Sequence, residues 1–327
     1  NQALAKRPGV PLPLIAETGG QNAMIVDSTA LPEQVVQDAI ISGFQSAGQR
    51  CSALRVLFVQ EDIADKLCHM LVGAMKELRV GDPKFLDIDV GPVIDEKSRK
   101  TLVAHAERMT KEAKLLHACD ILPECKDGTF FAPHCFEIPS LDVLEREVFG
   151  PVVHVVRYKA RDLDKVLDQI NASGYGLTMG IHSRIDSTVR QISQKLRVGN
   201  CYVNRNMIGA VVGVQPFGGQ GKSGTGPKAG GPHYVERFAK PVTEAGQKAA
   251  GSAAIADDRS PIVIKASLAD EEYRFLQAAQ VKWQATDGNE RVRLLENFAA
   301  KLAAAPASEL SENAELIANF AAISENG

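Results

Sequence analysis

Short apolar runs alternate with segments of helical period along the first 240 residues, and this alternation constrains the fold more than any other feature. "LRVLFVQ" (54–60) is β-branched and of strand length, and "IADKLCHMLVGAMKEL" behind it repeats apolar residues at helical spacing. Four more strand-like runs follow, with two helical segments between them: "TFFAPHCFEI", "PVVHVVRY", "LTMGIHS" and "GNCYVN", with "ARDLDKVLDQINAS" and "DSTVRQISQKL". The pattern predicts a three-layer α/β/α fold around an open, mostly parallel sheet.

The segments around this repetition set the predicted domain limits. "LPLIAETGGQNAMIVD" contains two apolar runs broken by Gly19 and Gly20, which predicts strand, tight turn, strand. "LPEQVVQDAIISGFQ" (31–45) predicts a helix with one apolar face, and the glycine-rich segment 215–234 predicts a loop. The composition becomes alanine-rich beyond about residue 242. We therefore predict an α/β unit over 1–242, a linker over 243–260 and a truncated, mostly helical C-terminal extension over 261–327.

Composition excludes several classes of protein. An apolar fraction of 45%, a charged fraction of 24% and a net charge of -3 are typical of a soluble globular protein without the basic field that attracts nucleic acid. No apolar run approaches the roughly 18 to 20 residues that cross a bilayer. The 6 cysteines form no CxxC pair or zinc spacing, so we expect a cytoplasmic protein in a reducing compartment, with no metal site.

Cys51 lies in "SAGQRCSALR", a polar, small-residue setting behind the predicted helix. A structural cysteine packs like a small hydrophobe, whereas a nucleophilic thiol needs an accessible place that favours the thiolate. We expect Arg50 and nearby backbone N–H groups to favour the thiolate. Taken alone, the pattern also fits an ordinary cysteine at a helix end.

Two carboxylates stand out beside glycine turns. Glu17 lies between an apolar run and Gly19, where we expect it to be partly buried, and a partly buried carboxylate suits a general base. By itself a solvated loop acid is the favoured interpretation. Glu147 in "EREVFGPVV" is placed to reach a ligand hydroxyl while Phe149 packs against a flat group. From spacing alone, a polar turn with a core phenylalanine is favoured there.

Six motifs occur together in a fixed order, and together they carry a resemblance. "ETGGQN", "GQRCSALR", "EVFGPV", "GYGLTMGIHSR", "GNCYVN" and "PFGGQGKSG" resemble the catalytic half of the aldehyde dehydrogenase superfamily over roughly 14–238. Within it, "GQRCSA" and "FGGQGKSGTGPKAGGPHYVERF" are most similar to the glutamate semialdehyde (1-pyrroline-5-carboxylate) dehydrogenase module of bifunctional proline utilization proteins.

The resemblance implies a role for each candidate residue. Cys51 is then the nucleophile that forms a thiohemiacetal and then a thioester, and Glu17 is the base that activates water to hydrolyse the thioester. The NAD cofactor is implied to contact Glu147, Phe149 and Gly19. The implied substrate is L-glutamate 5-semialdehyde, with glutamate as product, and its amino acid head group would meet donors at Ser52, Ser223 and Gly224.

The resemblance also implies partners outside this chain. The NAD-binding half and the flavin-containing proline dehydrogenase module of the relatives would lie upstream, so the chain alone is expected to have little or no activity. A homo-oligomer is implied as well. Three alternatives stay open: an aldehyde dehydrogenase of another substrate class, a non-catalytic structural or assembly module with the same fold, and a hydrolase or acyltransferase that pairs Cys51 with a histidine base.

Overall fold

Most of the predicted strands and helices are present in the computed structural model. It describes residues 14–125, 127–211 and 213–238, with the isolated positions Lys6, Glu290 and Arg293. These three ranges belong to the compact unit formed by residues 13–239. The predictions for the linker (243–260) and the extension (261–327) fall outside the described residues.

A seven-stranded sheet forms the centre of this unit, and all but one of its strand pairs are parallel. The order is β3-β4-β5-β2-β1-β7-β8, with β3 antiparallel to β4. The strands are β1 (Ala23–Val26), β2 (Val56–Gln60), β3 (Lys114–Ala118), β4 (His134–Glu137), β5 (Val152–Tyr158), β7 (Thr178–His182) and β8 (Asn200–Val203). The short strands β6 (Tyr175–Gly176) and β9 (Gln220–Gly221) pair separately.

The direction of the crossovers places helices on both faces of the sheet. The helices are α1 (Pro32–Phe44), α2 (Glu61–Lys76), α3 (Glu96–Glu112), α4 (Leu163–Ala172) and α5 (Asp186–Lys195). The chain moves one way across the sheet from β1 to β2, and the other way from β5 to β7 and β8. Because parallel crossovers are right-handed, this reversal puts α1 on one face and α4 and α5 on the other. The predicted α/β/α layering with a mostly parallel sheet is confirmed.

The sequence analysis missed one helix and three strands, two of which are only two residues long, and predicted one strand that is not formed. α3 and β3 were not predicted, although Asp95 caps α3 through the Ser98 N–H and its buried residues are spaced 102, 106, 109. The strand expected before Gly19 is reduced to a single bridge between Glu17 and Gly224. In the glycine-rich loop, two residues form β9, because β6 offers them a partner.

Three of the segments that carry candidate residues precede parallel strands; the loop with Ser223 and Gly224 does not. Residues 17–22 lead into β1, 51–55 into β2 and 147–150 into β5. Since these strands run parallel and β1, β2 and β5 are neighbours, the segments meet at the amino edge of the sheet. Ligands of open α/β sheets usually bind at the carboxyl edge. This candidate site therefore lies at the opposite edge from the one that the general rule favours.

Candidate functional site at the amino edge of the sheet

The turn that leads to Cys51 has an unusual backbone. After α1 ends at Phe44, Ser46, Ala47 and Gly48 adopt φ of 55°, 52° and 63°. The left-handed conformation costs a non-glycine residue roughly 1–2 kcal/mol. A Cβ on Gly48 would lie 2.2 Å from the carbonyl oxygen of Gly150, so glycine is needed there for the close approach as well. Contacts from elsewhere must hold this turn in place.

Arg55 supplies several of those contacts from the start of β2. Its side chain is buried, and each of its guanidinium nitrogens donates a hydrogen bond. Nη1 donates to the carbonyls of Gly48 (2.6 Å) and Gly150 (3.1 Å), and Nη2 donates to the carbonyl of Arg50 (3.1 Å). Nε and Nη2 donate to Oε1 of Glu147 at 3.3 and 3.1 Å. Five N–H groups thus meet five acceptor contacts, as a buried guanidinium requires.

Asn22 holds the backbone on the other side of the nucleophile. Its buried Nδ2 donates to the carbonyls of Cys51 (2.7 Å) and Ala53 (2.9 Å). Its Oδ1 accepts from the backbone N–H of Thr178 at 3.2 Å. One amide therefore ties the Cys51 segment to β1 and β7 together.

The Cys51 thiol is partly exposed within this frame. Burial raises its pKa, two backbone hydrogen bonds at Ser52 and Cys51 lower it, and the carboxylates of Glu147 and Glu17 raise it. The backbone hydrogen bonds act in the expected direction, but burial outweighs them. The expectation for Arg50 is wrong: its side chain is exposed and its Nε donates to Oγ of Ser46 at 3.2 Å, and the net effect of the surroundings raises the pKa of the thiol.

Glu147 lies between Arg55 and the glycine turn. A Cβ built on Gly19 would lie 1.6 Å from Oε2 of Glu147, so the missing side chain makes room for the carboxylate. Burial raises the pKa of Glu147, while Arg55 and a backbone hydrogen bond from Gly20 oppose the rise. Phe149 is 44% exposed, and the Arg55 guanidinium lies 5.1 Å from its ring centroid. The structure thus brings together Gly19, Glu147 and Phe149, so that one ligand could contact all three residues.

Glu17 is attached to the loop that contains Gly224. The two residues form an antiparallel bridge, and the Thr18 N–H donates to the carbonyl of Ser223 at 3.2 Å. The Glu17 side chain is exposed. The expected partial burial is therefore wrong for the described residues, because the glycine-rich loop pairs with the Glu17 backbone and leaves the carboxylate open to water.

The three residues expected at the substrate head group differ in accessibility. Ser52 is 7% exposed, and its carbonyl accepts from Oγ1 of Thr178 at 3.2 Å. Ser223 is fully buried, and its Oγ accepts from the N–H of Gly176 at 3.0 Å. Gly224 has φ of 140°, and a Cβ there would lie 2.4 Å from the Ala16 carbonyl. Ser223 is therefore already engaged in holding the loop, whereas Gly224 allows the loop to approach the ETGG segment.

A groove of about 1100 Å³ opens beside Glu147 and Phe149, between α3 and the segment before β5. Four cationic side chains line it: Lys97, Lys100, Arg108 and Arg146. Three carboxylates, Asp95, Glu145 and Glu147, line the groove too, so its charged lining has only a small positive excess, and its volume lies slightly above the usual range for ligand pockets. The residues present thus fit one part of a dinucleotide, with Glu147 available to ribose hydroxyls and Phe149 to a flat ring.

Two other classes of site find no support in the described part of the chain. None of its groups of His, Cys, Asp and Glu is arranged to hold a metal ion. None of its helices combines the length and apolarity that a bilayer crossing requires. Among the described hydrogen bonds none joins a histidine to Cys51, which counts against the alternative that pairs this thiol with a histidine base.

Sequence reasoning missed Arg55 and Asn22 as part of the site. A signal was present in both cases: each is a strongly polar residue directly before a strand whose residues are all buried. Such a residue must satisfy its hydrogen bonds at the end of the sheet, where loops are held in place.

Comparisons with known proteins agree with this architecture. The sequence profile of the aldehyde dehydrogenase family matches residues 3–243. The bifunctional protein PutA of Klebsiella aerogenes is 57% identical over 235 residues, covering 70% of this chain and 18% of that protein. A crystal structure of a bifunctional PutA protein superposes with a TM-score of 0.71 at 58% identity, covering 73% of this chain and 24% of that one.

A second solved structure extends the comparison to a separate enzyme. It is 1-pyrroline-5-carboxylate dehydrogenase from Thermus with bound NAD, with a TM-score of 0.64 and 34% identity, covering 68% of this chain and 43% of that one. The chain spans about a fifth of the length of the PutA relatives it matches. The profile match covers most of the chain, and the chain belongs to the aldehyde dehydrogenase family.

Proposed function

We propose that residues 1–242 are the catalytic half of an NAD-dependent L-glutamate 5-semialdehyde dehydrogenase that acts in proline catabolism. The observation that carries the proposal is that the segments of Cys51, Glu17 and Glu147 meet at one edge of the sheet, where Asn22 and Arg55 join the Cys51 segment to the other two. The names and identities of the relatives support the substrate. The proposal covers the function of a longer protein of which this chain supplies the nucleophile and the base.

The reaction assigns each bond change to a residue of this chain. The partly exposed Cys51 thiol gives its proton to solvent water, and its Sγ adds to the aldehyde carbon, whose C=O electron pair moves onto the oxygen. Oxidation of this adduct needs a hydride acceptor, which NAD+ held at Glu147 would supply; the C–H bond breaks, the hydride leaves, and the electron pair on the oxygen re-forms the C=O bond of a thioester. Glu17 then takes a proton from a water that attacks this carbonyl, and the C–S bond breaks to return the Cys51 thiolate and release the carboxylic acid. The exposure of Glu17 gives that water access.

The cofactor would be held by the cluster at the groove. Glu147 offers its carboxylate to ribose hydroxyls, Phe149 offers an exposed ring face, and Gly19 keeps the backbone close. The remaining contacts belong to an upstream NAD-binding domain in this proposal. The use of NAD is supported by the Thermus relative, whose solved structure has NAD bound.

The head group of the substrate would lie against Ser52 and the loop at Ser223 and Gly224. Glycine-rich loops expose backbone N–H groups that bind a carboxylate. Because the Ser223 hydroxyl already holds Gly176, we assign to Ser223 a role in shaping the loop rather than a direct contact through Oγ. The proposed partners are an upstream NAD-binding half, a proline dehydrogenase module in the same chain, and further copies in a cytoplasmic homo-oligomer, with a linker over 243–260 and a helical extension over 261–327.

The test measures NADH formation from L-glutamate 5-semialdehyde by the longer natural protein that contains this chain. We expect Cys51→Ala to abolish turnover, and Glu17→Ala to accumulate an acylated enzyme that mass spectrometry detects. Cys201→Ala and Glu33→Ala, at exposed positions away from the site, are the matched controls and should keep normal rates. Turnover by Cys51→Ala would refute the proposal, and a clear preference for a different aldehyde would leave the chemistry but replace the substrate.

A further inference from the structure

We propose that Arg55 is a positioning residue that fixes the Cys51 turn relative to Glu147, and so couples the nucleophile side of the site to the cofactor side. The structural coupling concerns this chain alone, and its consequence for turnover rests on the proposed function. The residue was not among the sequence candidates, and Arg50, which was, makes no comparable contacts.

On the nucleophile side, Arg55 holds the last residue of the strained turn and the residue directly before Cys51. Its Nη1 binds the Gly48 carbonyl at 2.6 Å and its Nη2 binds the Arg50 carbonyl at 3.1 Å, directly before Cys51. Ser46 and Ala47 are left-handed without being glycine, and such a conformation persists only when the surroundings determine it. Arg55 is a buried group with the right geometry to do so.

On the cofactor side, the same guanidinium holds the segment that leads to β5. Nε and Nη2 bind Oε1 of Glu147, Nη1 binds the Gly150 carbonyl, and the cation lies 5.1 Å from the Phe149 ring centroid. The guanidinium has five donors, two more than an ammonium, so it can bind Glu147 and the three backbone carbonyls at once. Glu147 and Phe149 are therefore held by the group that holds the turn.

The backbone of Arg55 is itself held by hydrogen bonds with Asn22 and His154. Its N–H donates to the Asn22 carbonyl at 3.0 Å, and its carbonyl accepts from the N–H of His154 at 2.9 Å. Nδ1 of His154 lies 3.1 Å from the same carbonyl, and Nε2 of His154 lies 2.9 Å from Nε2 of His105. With the main chain held in this way and the side chain only 1% exposed, Arg55 has a single available orientation.

The charged and titratable groups that act on Cys51 are Glu147 and Glu17, with Arg55 beside Glu147 and Arg50 next in sequence. The Glu147 carboxylate raises the pKa of the thiol, so Glu147→Gln should lower it. A lower pKa raises the thiolate fraction at neutral pH, and we expect an about threefold faster alkylation of Cys51. The alkylation rate of Cys51 depends on the charge of Glu147 only while Glu147 is held close to the thiol.

The test is a double-mutant cycle on the full 327-residue chain, with iodoacetamide alkylation of Cys51 followed by peptide mass mapping across pH. Arg55→Lys leaves three donors for five acceptor contacts, so the ammonium can no longer hold Glu147 and the three backbone carbonyls together. We expect Glu147→Gln to speed alkylation about threefold in the parent background and to have no effect in the Arg55→Lys background. Arg50→Lys is the matched control, and in that background the full effect of Glu147→Gln should persist.

A second variant covers the case in which Arg55→Lys does not fold. Gly48→Ala keeps Arg55 but pushes the turn away from Gly150, so it should also abolish the effect of Glu147→Gln on the alkylation rate. Gly73→Ala is the folding control, because a Cβ at that position meets nothing within 4 Å. A retained threefold effect in either folded variant, or no effect in the parent, would overturn the proposal. Alkylation needs neither aldehyde nor cofactor, so a failure of the proposed dehydrogenase activity would be seen separately.

In the longer protein, the same coupling predicts a specific kinetic pattern. Arg55→Lys should lower kcat and raise the KM for NAD, while the KM for the aldehyde changes little, because the head-group loop does not contact Arg55. A raised aldehyde KM with an unchanged kcat would contradict the assigned role.

Discussion

Asn22→Ala should destabilise the fold and loosen Cys51 at the same time. The amide makes three hydrogen bonds inside the structure: two from Nδ2 to the carbonyls of Cys51 and Ala53, and one from the Thr178 N–H to Oδ1. Asn22 is 3% exposed, so truncation leaves three backbone groups without their partner in a place where water has little access.

The size of the loss follows from this count. A hydrogen bond contributes about 1 kcal/mol net, and a buried polar group left without a partner costs about 1–3 kcal/mol. Small local movements let some of the three groups form other hydrogen bonds. We therefore expect the free energy of unfolding to fall by about 4 kcal/mol. With an m-value of about 2 kcal/mol/M, the urea midpoint would drop by about 2 M.

The assay combines urea unfolding, followed by far-UV circular dichroism, with the alkylation rate of Cys51. Asn171→Ala is the matched control, since Asn171 also makes two amide hydrogen bonds, to the Lys195 carbonyl and from the Arg197 N–H, but is only partly buried. We expect the control to lose about 1 kcal/mol and to leave the alkylation rate unchanged. A loss in Asn22→Ala no larger than in the control, with normal Cys51 reactivity, would refute the assignment of Asn22 as the anchor.

Two further changes test the carboxylate cluster and the buried histidines. Gly19→Ala places a Cβ 1.6 Å from Oε2 of Glu147, so in the longer protein it should raise the KM for NAD severalfold, with Gly73→Ala as the neutral control; an unchanged KM would remove Glu147 from the cofactor site. Burial lowers the pKa of His105 to about 4 and that of His154 to about 3. Unfolded histidines take up protons below about pH 6.5, so stability is fully present above that pH and falls as the pH drops from 6.5 toward 4. His105→Gln should reduce proton uptake on unfolding at pH 5 by about one, as measured by calorimetry in buffers of different ionisation enthalpy; an unchanged uptake would contradict the burial of a neutral His105.

The order and type of most elements could be predicted from the sequence because they depend on local spacing. The helix over Pro32–Phe44 and the strand over Val56–Gln60 follow from apolar periods that any chain of this pattern would bury. The missed helix α3 shows the limit of this reasoning, since its apolar residues are few and most of its surface is polar. The candidates Cys51, Glu17 and Glu147 were also identified from sequence, and their roles stay predictions.

Tertiary structure alone decided how these residues are held. Arg55 and Glu147 are 92 positions apart, and their contact depends on β2 and β5 being neighbours, which no local pattern specifies. The burial of Ser223 and the exposure of Glu17 likewise follow from how the glycine-rich loop packs against the ETGG segment. Sequence determines which side chains are available and in what order, because these are local properties. The order of strands in the sheet decides which of them meet, because it brings distant strand ends to one edge.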